Sequence, residues 1–409
     1  MAEVLNSLAR AIEADLCSGC GLCEGLLGAS RVSLKIDSAG YLRPVLGTQL
    51  SPGESTLFES VCPGLNVSHP HGTKGHDPIW GPMLSAKIAA AADPEIRHQG
   101  SSGGVLSALQ IHLLETGAVD YVVNVSVSDD DPFRNDISLC RTREEVLRSA
   151  GSRYAPSAPL SRIGELLDGD GRFAFVGKPC DVAALRRLAE HDPRVNQKVP
   201  VMLSFMCAGV PSIKGTHRII EKLGARVDDV SSFRYRGDGW PGYAKATLKD
   251  GSTRSMTYED SWKNILSPYV QWRCKLCPDG TGELADITGA DAWHVNADGS
   301  PDFSEREGRS FVLLRTAAGK GVFESLVSSN GAISLGDVTS VDIEGVQFHQ
   351  AYRKKTYVIR RLALVVLGRA FPQYNLSAVI AMPFRLTPFA AMRAFVGTLR
   401  RAWRKRQET

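Results

Sequence analysis

The chain contains 409 residues, of which 43% are hydrophobic and 22% charged, and its formal net charge is +4. These values are those of an ordinary soluble globular protein with about two or three domains, each burying its own core. The N-terminus has no apolar segment of the kind found in signal peptides. No stretch approaches the ~18 consecutive apolar residues of a membrane-spanning helix, so we expect a cytoplasmic protein.

The positive charge is concentrated near the C-terminus. Residues 353–406 hold thirteen Lys or Arg and no Asp or Glu, which leaves 35 basic against 44 acidic residues in the remainder. The body and the C-terminal segment therefore have opposite electrostatic character. Because the basic residues are confined to that segment, we do not expect nucleic-acid binding.

Nine cysteines are present, and a disulfide framework is not expected, because the cytosol keeps thiols reduced. Closely spaced thiols in such a chain more often bind metal or take part in redox chemistry. The spacing of the cysteines is therefore the main clue to function.

The first predicted element is a cysteine-rich unit over residues 1–78. Its motif places two residues between each of Cys17, Cys20 and Cys23. This spacing opens a bacterial ferredoxin motif. Leu27 occupies the position of a further local cysteine, so we predict a ferredoxin-like unit with one 4Fe–4S cluster and Cys62 as the distant fourth ligand. A zinc knuckle is the alternative, although zinc sites favour paired CxxC motifs.

The next residues, 79–165 and 166–349, predict two units with an α/β pattern. Helices are predicted over 104–115 and 181–190, and strands over 119–127, 172–176 and 199–205. Cysteines follow the last two of these strands. Because open α/β sheets bind ligands beyond the carboxyl ends of their strands, we expect a site there. Residues 230–258 instead predict hairpin strands with a turn at Asp250-Gly251.

Four further cysteines could form a second metal site, although they lie far apart in the sequence. They are Cys180, Cys207, Cys274 and Cys277. The CxxC pair that ends this set indicates metal or redox chemistry. From the residues alone, Cys180 and Cys207 could equally be buried core thiols, which are common.

At these residues the sequence resembles the family of coenzyme F420 hydrogenase/dehydrogenase beta subunits, which includes plant 7-hydroxymethyl chlorophyll a reductase and ferredoxin-dependent 8-vinyl reductases. The matching segments are 101–104 (SSGG), 150–157 (AGSRYAPS), 177–180 (GKPC), 205–207 (FMC), 234–242 (RYRGDGWPG), 274–277 (CKLC) and 283–287 (ELADI). They occur in the family's order and extend over residues 1 to 320. The second ferredoxin motif common in the family is missing from this sequence, and Lys178 stands where a small residue is common.

The resemblance implies a second 4Fe–4S cluster, held by Cys180 and the three later cysteines of its set, beside an FAD. The residues that it implies for the flavin are Ser101, Ser102, Gly103, Gly104, Arg153, Tyr154 and Ser157, with Trp240, Asp286 and Asp291 shaping the flavin and substrate pocket. Alone, the SSGG segment would instead be a helix N-cap with flexible glycines. Cys140 fits neither set and is expected to be structural.

The activity that follows is an iron–sulfur flavoprotein oxidoreductase. Reduced ferredoxin or a similar donor would supply electrons through two 4Fe–4S clusters to FAD and a small organic substrate. His98, Tyr154 and Lys178 are candidate proton donors. The alternatives are a coenzyme F420-linked oxidoreductase, and an electron-relay subunit that delivers electrons to a partner protein.

The last predicted segment, 350–409, is a basic amphipathic helical tail. Apolar and basic residues alternate at helical spacing over 360–367 and 382–403. The segment could lie on an anionic membrane at its inner face, dock onto an acidic electron donor, or pack on the body or on a neighbouring subunit of a homo-oligomer.

Overall fold

The computed structural model describes residues 6–69, 76–375, 377 and 379–408. The N-terminal part contains a two-stranded antiparallel sheet and three helices. Its elements are α1 (Ser7–Glu13), α2 (Leu22–Leu27), β1 (Val32–Ile36), β2 (Leu42–Leu46) and α3 (Pro52–Val61). A capping box between Ser51 and Glu54 begins α3. Helix α3 is in contact with α1, so the unit folds onto itself.

Strands and helices alternate from residue 76 to residue 222, as the sequence predicts. The elements are β3 (His76–Asp77), β4 (Gly81–Pro82), β5 (Ser85–Ala91), α4 (Pro94–Gln99), α5 (Val105–Glu115), β6 (Tyr121–Val127), β7 (Asn135–Cys140), α6 (Arg143–Arg148), α7 (Ile163–Asp168), β8 (Phe173–Gly177), α8 (Pro179–Leu188), α9 (Pro193–Lys198), β9 (Met202–Phe205) and α10 (Ile213–Lys222). The strand predicted over 199–205 begins only at Met202, because Val199 caps α9 and Pro200 has no amide to donate.

A second series of elements completes the chain. They are β10 (Val230–Arg234), β11 (Tyr243–Leu248), β12 (Thr253–Thr257), a π-helix (Asp260–Leu266), α11 (Trp272–Lys275), β13 (Ile287–Asp291), β14 (His294–Val295), β15 (Pro301–Asp302), β16 (Ser310–Leu314), α12 (Ala317–Ser328), β17 (Ala332–Asp337), α13 (Ser340–Val346), α14 (Phe348–Lys355), α15 (Tyr357–Val366) and α16 (Pro388–Glu408). Three 3-10 turns cover Val227–Asp229, Ser267–Tyr269 and Met382–Arg385.

An eight-stranded mixed sheet forms the centre of the protein, in the order β17-β5-β16-β13-β9-β8-β6-β7. The four neighbouring strands β13, β9, β8 and β6 run parallel to one another. The other four strands pair antiparallel at the two sides of this group. The carboxyl ends of the parallel strands therefore meet at one edge of the sheet.

Helices cover both faces of this sheet. Along β8, Phe173 and Phe175 belong to one buried cluster with residues of α3, α7 and α8, whereas Ala174 and Val176 belong to another with residues of α5 and α12. This alternation follows from the two-residue period of a strand. The sequence-based expectation of an α/β fold is confirmed.

The hairpin strands predicted over 230–258 are also present. Strands β10, β11 and β12 form a separate antiparallel sheet, and Gly251 in the turn before β12 has a φ of +84°. That conformation favours glycine, which explains why Asp250-Gly251 predicts the turn.

The C-terminal segment is helical, and α15 packs against α16. Within the described ranges, no helix is both long and apolar enough to cross a bilayer.

Candidate metal centres and cofactor cavity

The four cysteines of the first predicted set meet in one apolar recess. Cys17 and Cys20 lie in the loop between α1 and α2, Cys23 lies in α2, and Cys62 caps α3. All four line the same small cavity, together with apolar side chains that include Phe58. The structure therefore brings together the ligands that the spacing predicts.

Backbone amides point toward these sulfurs. The amide of Gly19 donates to Cys17 Sγ over 3.4 Å, and the amides of Leu22 and Gly64 hydrogen bond to the thiols of Cys20 and Cys62. Gly21 has a φ of +88°, and a Cβ there would lie 2.7 Å from the backbone nitrogen of Ser161. Amides around a thiolate set are the protein's means of tuning a cluster's potential.

Burial raises the pKa of these thiols. For Cys62, burial and the neighbouring Cys17 raise the pKa to about 12. The pKa of Cys23 is raised by burial and then by Cys20 and Cys17. Thiols in this environment keep their protons at neutral pH, so binding a metal must release them.

The second predicted set also converges. Cys180 lies in the first turn of α8 and Cys207 follows β9, so both stand at the carboxyl ends of parallel strands, while Cys274 lies in α11. Besides burial, the nearby Cys207 and Cys274 raise the pKa of the Cys180 thiol. Cys274 and Cys277 raise the pKa of Cys207 in the same way. Burial is the largest cause that raises the pKa of Cys207 to about 12. Cys180 and Cys207 thus lie near the other cysteines of the set, and the choice between metal ligands and core thiols stays a prediction.

The arrangement also bears on the zinc alternative. Among the described residues, no three His, Cys, Asp or Glu side chains are grouped so that they could hold a metal ion. Zinc needs four ligands around one ion at about 2.3 Å, whereas each thiolate of a 4Fe–4S cluster binds a different iron, so its thiolates stand further apart. The cluster and the zinc interpretation of the cysteine sets therefore both stay predictions.

Cys140 lies outside both sets. It is buried at the end of β7, where its sulfur is 3.4 Å from Ser138 Oγ and 3.6 Å from Ser149 Oγ. This position agrees with the structural role expected for it.

Gln271 and Arg273, at the start of α11, contact residues of both cysteine sets. The guanidinium of Arg273 donates to the carbonyl of Pro63 over 2.6 Å, beside Cys62, and hydrogen bonds to the Cys277 thiol. Gln271 Nε2 lies 3.5 Å from both the Ser18 carbonyl and Cys274 Sγ. Arg273 is thus a buried positive charge between the two candidate metal centres.

Replacing Arg273 with Met should lower the reduction potentials of both bound clusters. The loss of a nearby positive charge makes an added electron less favourable, and we expect shifts on the order of 50–100 mV. Redox titration followed by electron paramagnetic resonance measures them. Arg254→Met, on β12, is the matched control, and equal potentials in both variants would contradict this role for Arg273.

A large cavity opens beside the second cysteine set. Its volume is about 940 Å³, and it is lined by residues at the ends of three parallel strands, among them Lys178, Cys207 and Asp291. This is the sheet edge at which the sequence predicts a site. The volume is near the upper end of the ~300–1,000 Å³ typical of small-molecule sites.

Aromatic side chains form one wall of the cavity. The lining includes Tyr154, Tyr258, Trp262, Trp293 and Phe303. Trp240 lies behind this wall and stacks on Trp293 with ring centroids 4.6 Å apart and planes within 3°. Such stacked rings make a rigid surface on which a planar ring system can bind.

A buried ion pair fixes that wall. Arg236 donates to both carboxylate oxygens of Asp291 over 2.7 and 2.8 Å, and Trp240 Nε1 donates to the same carboxylate over 3.0 Å. The guanidinium also lies 4.5 Å from the ring centroid of Tyr258 and 4.8 Å from that of Trp293. Asp291 therefore acts on the cavity both directly and by orienting its neighbours.

The residues that the resemblance implies for the flavin divide into two groups. The cavity is lined by Ser101, Ser102, Gly104, Arg153, Tyr154, Ser157 and Asp291. Gly103, Trp240 and Asp286 are not part of the lining. The carboxylate of Asp286 instead accepts from Arg186 over 2.9 Å and from Thr316 over 2.7 Å, which gives it a place in the core.

Most of these residues already use a polar group within the protein; Ser102 Oγ, for example, donates to the carbonyl of Arg309 over 3.0 Å. The Gly103 amide donates to Ser310 Oγ over 2.9 Å, and the Arg153 guanidinium donates to Asn135 Oδ1 over 2.8 Å and to the carbonyl of Phe233 over 3.0 Å. Helix α5, however, begins at the cavity after Gly104 and has no side-chain cap. Its N-terminal amides suit an anionic group.

The candidate proton donors occupy different environments. His98 is exposed and does not line the cavity. Lys178 is buried, and although burial opposes its charge, the Asp181 carboxylate at 2.8 Å raises the pKa of the ammonium. It also donates to Ser157 Oγ over 2.7 Å. Asp181 thus holds the Lys178 side chain in place, and Lys178 stays a candidate proton donor at the cavity wall.

Tyr154 and a histidine are further cavity residues that could take part in proton transfer. Tyr154 stands against Trp262 with ring centroids 4.7 Å apart. His349, which sequence analysis missed, also lines the cavity, and its pKa is lowered by burial and then by Arg353 and Lys263.

The first residues of the segment predicted as a tail contact the second cysteine set. Gln350 and Arg353 donate to the carbonyl of Cys207 over 3.0 and 3.1 Å, and Arg353 also donates to that of Cys274. Arg360 donates to the carbonyl of Lys275 over 2.7 Å. Helices α14 and α15 thus cover the second cysteine set, so the expected boundary at 350 does not separate a tail from the body.

Lys354, also in α14, is almost completely buried. It pairs with Glu283, each side chain being 1% exposed, and donates to Tyr374 Oη over 2.7 Å. His69 Nε2 lies 2.7 Å from the same carboxylate. This buried network ties the C-terminal segment to the loop that precedes β13.

Comparison with known proteins supports a family assignment. Residues 86–163 match the family model for the N-terminal region of the coenzyme F420 hydrogenase/dehydrogenase beta subunit, and residues 170–341 match the model for its C terminus. Residues 1–85, which hold the first cysteine set, precede both matches.

Individual relatives share between 24% and 29% of their residues with this chain over the matched regions. The coenzyme F420 hydrogenase subunit beta of Methanococcus voltae is 29% identical over 259 residues, covering 61% of this chain and 83% of the relative. One subunit of the F420H2 dehydrogenase of Methanosarcina mazei is 24% identical over 330 residues, covering 78% and 84%. The coenzyme F420-dependent sulfite reductase of Methanocaldococcus jannaschii is 24% identical over 371 residues, covering 86% of this chain and 51% of the relative.

Among solved structures, a chain of the F420-reducing NiFe hydrogenase complex from Methanosarcina barkeri has the same fold. The TM-score is 0.54 at 22% sequence identity, and the match covers 72% of this chain and 98% of that one.

Proposed function

Because the chain belongs to the family of coenzyme F420 hydrogenase/dehydrogenase beta subunits, we propose that it is an F420-linked iron–sulfur oxidoreductase. In this proposal it exchanges electrons between a partner protein and a small ring substrate bound in the 940 Å³ cavity. The observation that carries the proposal is the position of Cys207, which belongs to the second cysteine set and also lines that cavity.

Two 4Fe–4S clusters fit the cysteine sets. Cys17, Cys20, Cys23 and Cys62 would hold the first, and Cys180, Cys207, Cys274 and Cys277 the second. When bound, clusters move electrons singly, and a flavin converts single electrons into two-electron hydride chemistry. The chain's own contribution is to hold the thiolates in apolar surroundings and to place Arg273 between them.

We propose FAD as the resident cofactor of the cavity. Its anionic part would lie at the start of α5, near Ser101, Ser102 and Gly104. Its ring would lie toward the aromatic wall of Tyr258 and Trp293. F420 or another small organic substrate would share this cavity with it.

The residues around the cavity have distinct roles in this proposal. The Lys178 ammonium, fixed by Asp181, favours negative charge on a reduced ring in its vicinity. The aromatic wall excludes water from that ring. Tyr154, His349 and Lys178 are the groups that can move the proton which accompanies a hydride.

The names of the relatives support the choice of partner and substrate. They include subunits of an F420 hydrogenase and of an F420H2 dehydrogenase, so we propose that this chain too works with a partner protein. Reduced ferredoxin remains a candidate for that partner, delivering electrons to the first cysteine set.

The proposal is tested on anaerobically purified protein. We expect about eight irons and one FAD per chain, and bleaching of the F420 absorbance when a reduced donor is added. Reduction of a partner protein without turnover of F420 would favour the electron-relay alternative. Protein that binds neither iron nor a flavin would contradict the proposal.

Replacing Trp293 with Leu should weaken binding of F420 or flavin by about tenfold. The substitution removes the stacked surface that faces the cavity, which is worth about 1–1.5 kcal/mol. Equilibrium titration followed by ring fluorescence measures the effect. Trp403→Leu is the matched control, since that tryptophan is exposed on α16, and an equal loss in both variants would count against the aromatic wall as the ring site.

A further inference from the structure

Helices α15 and α16, together with the segment between them, carry apolar side chains that the protein itself does not cover. Phe384 is 91% exposed and Phe389 76%, and Met392 and Trp403 are also exposed. The other exposed members lie mainly on α15 and after it: Leu362, Val365, Val366, Leu367 and Ile380. We call these residues the C-terminal apolar surface.

Their spacing shows that the surface is built into the helices. On α15, Leu362, Val365 and Val366 follow the three- and four-residue spacing of one helix face. On α16, Phe389, Met392 and Trp403 fit one face as well, whereas Ala394, Thr398 and Ala402 are buried at intervals of four. Each helix thus has one face packed in the protein and another that is apolar and open.

The segment that carries this surface has basic residues but no acidic ones. Between residues 345 and 407 the sequence has no Asp or Glu. Arg385, Arg393 and Arg400 are exposed beside the apolar side chains. A surface that combines Phe and Trp with Arg and lacks acids complements an anionic lipid layer, in which apolar groups enter the acyl region and cations meet the head groups.

Other occupants fit less well. A second copy of this chain would bring the same cations face to face, because a twofold interface is made of identical patches. An acidic protein would complement the arginines. It would cover Phe384 and Phe389 only if it offered pockets for them.

We propose that the C-terminal apolar surface binds the face of an anionic membrane, which would hold the two candidate metal centres and the cavity at the bilayer surface. The binding is peripheral: the side chains of α15 and α16 enter the layer while their backbones stay parallel to it. This goes beyond the proposed redox function and does not depend on it.

Vesicle flotation with the full-length purified protein tests the proposal. The probes are phosphatidylcholine vesicles with and without about 30% phosphatidylglycerol. We expect flotation with the anionic vesicles only, and less of it at high salt, because salt screens the arginines. Protein that stays in the soluble fraction with anionic vesicles at low salt would overturn the proposal.

Two variants and a control locate the contact. The triple change Phe384→Ser, Phe389→Ser and Met392→Ser should lower the bound fraction at least about tenfold. The triple change Arg385→Gln, Arg393→Gln and Arg400→Gln should remove the preference for anionic lipid. Val45→Ser, Leu84→Ser and Val295→Ser together change exposed apolar residues of the body and should have no effect.

The remaining outcomes also decide the question. Thermal unfolding that matches the parent protein shows that a non-binding variant is folded, since the substituted side chains are exposed. Equal flotation of parent and Phe384 variant would overturn the proposal. So would a dimer, seen by gel filtration without lipid, that the serine variant dissociates while neither protein floats.

Discussion

Changing Cys274 to Ser should remove about four of about eight irons per chain and abolish electron transfer into the cavity. Cys274 is buried in α11, and its sulfur accepts from the Val210 amide over 3.4 Å. The remaining three thiols of the set cannot complete a four-thiolate site. The first set, which lies behind Arg273, should keep its iron.

Iron analysis and electron paramagnetic resonance of the reduced protein measure this result. Cys140→Ser is the matched control, because Cys140 is also buried but lies between Ser138 and Ser149. We expect that variant to keep all of its iron. If Cys274→Ser retains the full iron content, or if Cys140→Ser loses half, the assignment of the second set is wrong.

Changing Lys354 to Met should destabilise the protein by about 3–5 kcal/mol, because it removes the lysine partner of the buried Glu283 carboxylate. Lys354 and Glu283 are each 1% exposed. The loss should also loosen α14, since Lys354 is its deepest contact with the body. Denaturant unfolding monitored by circular dichroism gives the change in free energy.

Lys320→Met is the control, because Lys320 pairs with Glu324 over 3.7 Å on the surface with side chains 48% and 62% exposed. Such a pair contributes about 0–1 kcal/mol. Similar losses of stability in the two variants would contradict the importance assigned to the buried network.

The same network gives the protein a pH dependence. Burial opposes ionisation of Glu283, but Lys354 and His69 outweigh it, so the pKa of the carboxyl is lowered below its ordinary value. A lowered folded pKa contributes stability above the unfolded pKa of about 4.3. That stability is lost as the pH falls below this value toward the folded pKa, and Glu283→Gln should lack this acid-side loss.

Much of the fold could be predicted because its signals are local. The strands over 121–127 and 173–177 are apolar runs bounded by turns, and the hairpin turn at Asp250-Gly251 follows from a backbone angle that glycine favours. The first cysteine set could be predicted in the same way, since three of its members fall within one loop and the helix that follows it.

The second set needed the family resemblance. Its members lie after β8, after β9, and in and just after α11, and only the order of strands in the sheet brings them together. The order of strands in a sheet cannot be predicted from helical or strand periodicity. The same applies to Arg236 and Trp293, which lie in or beside matched segments but take their roles from contacts with Asp291 and Trp240.

Composition alone does not predict where the basic residues of the C-terminal segment lie in the structure. A run rich in Lys and Arg predicts solvated charge, yet Lys354 is buried and Arg353 and Arg360 donate to backbone carbonyls beside the second cysteine set. These arginines are held by backbone carbonyls of residues far away in the sequence. No local sequence pattern predicts such contacts. The amphipathic spacing of α15 and α16, by contrast, was apparent from the sequence.

The contacts of Arg353 and Arg360 have a consequence for how the protein matures. Both residues are translated after all eight thiols of the two sets, so the site around Cys207 and Cys274 is complete in ligands before its cover exists. During synthesis there is accordingly an interval in which these thiols are not yet covered by α14 and α15. Once α14 folds, Arg353 holds the carbonyls of Cys207 and Cys274, so we expect metal loading of this set to be easier before that step than after it.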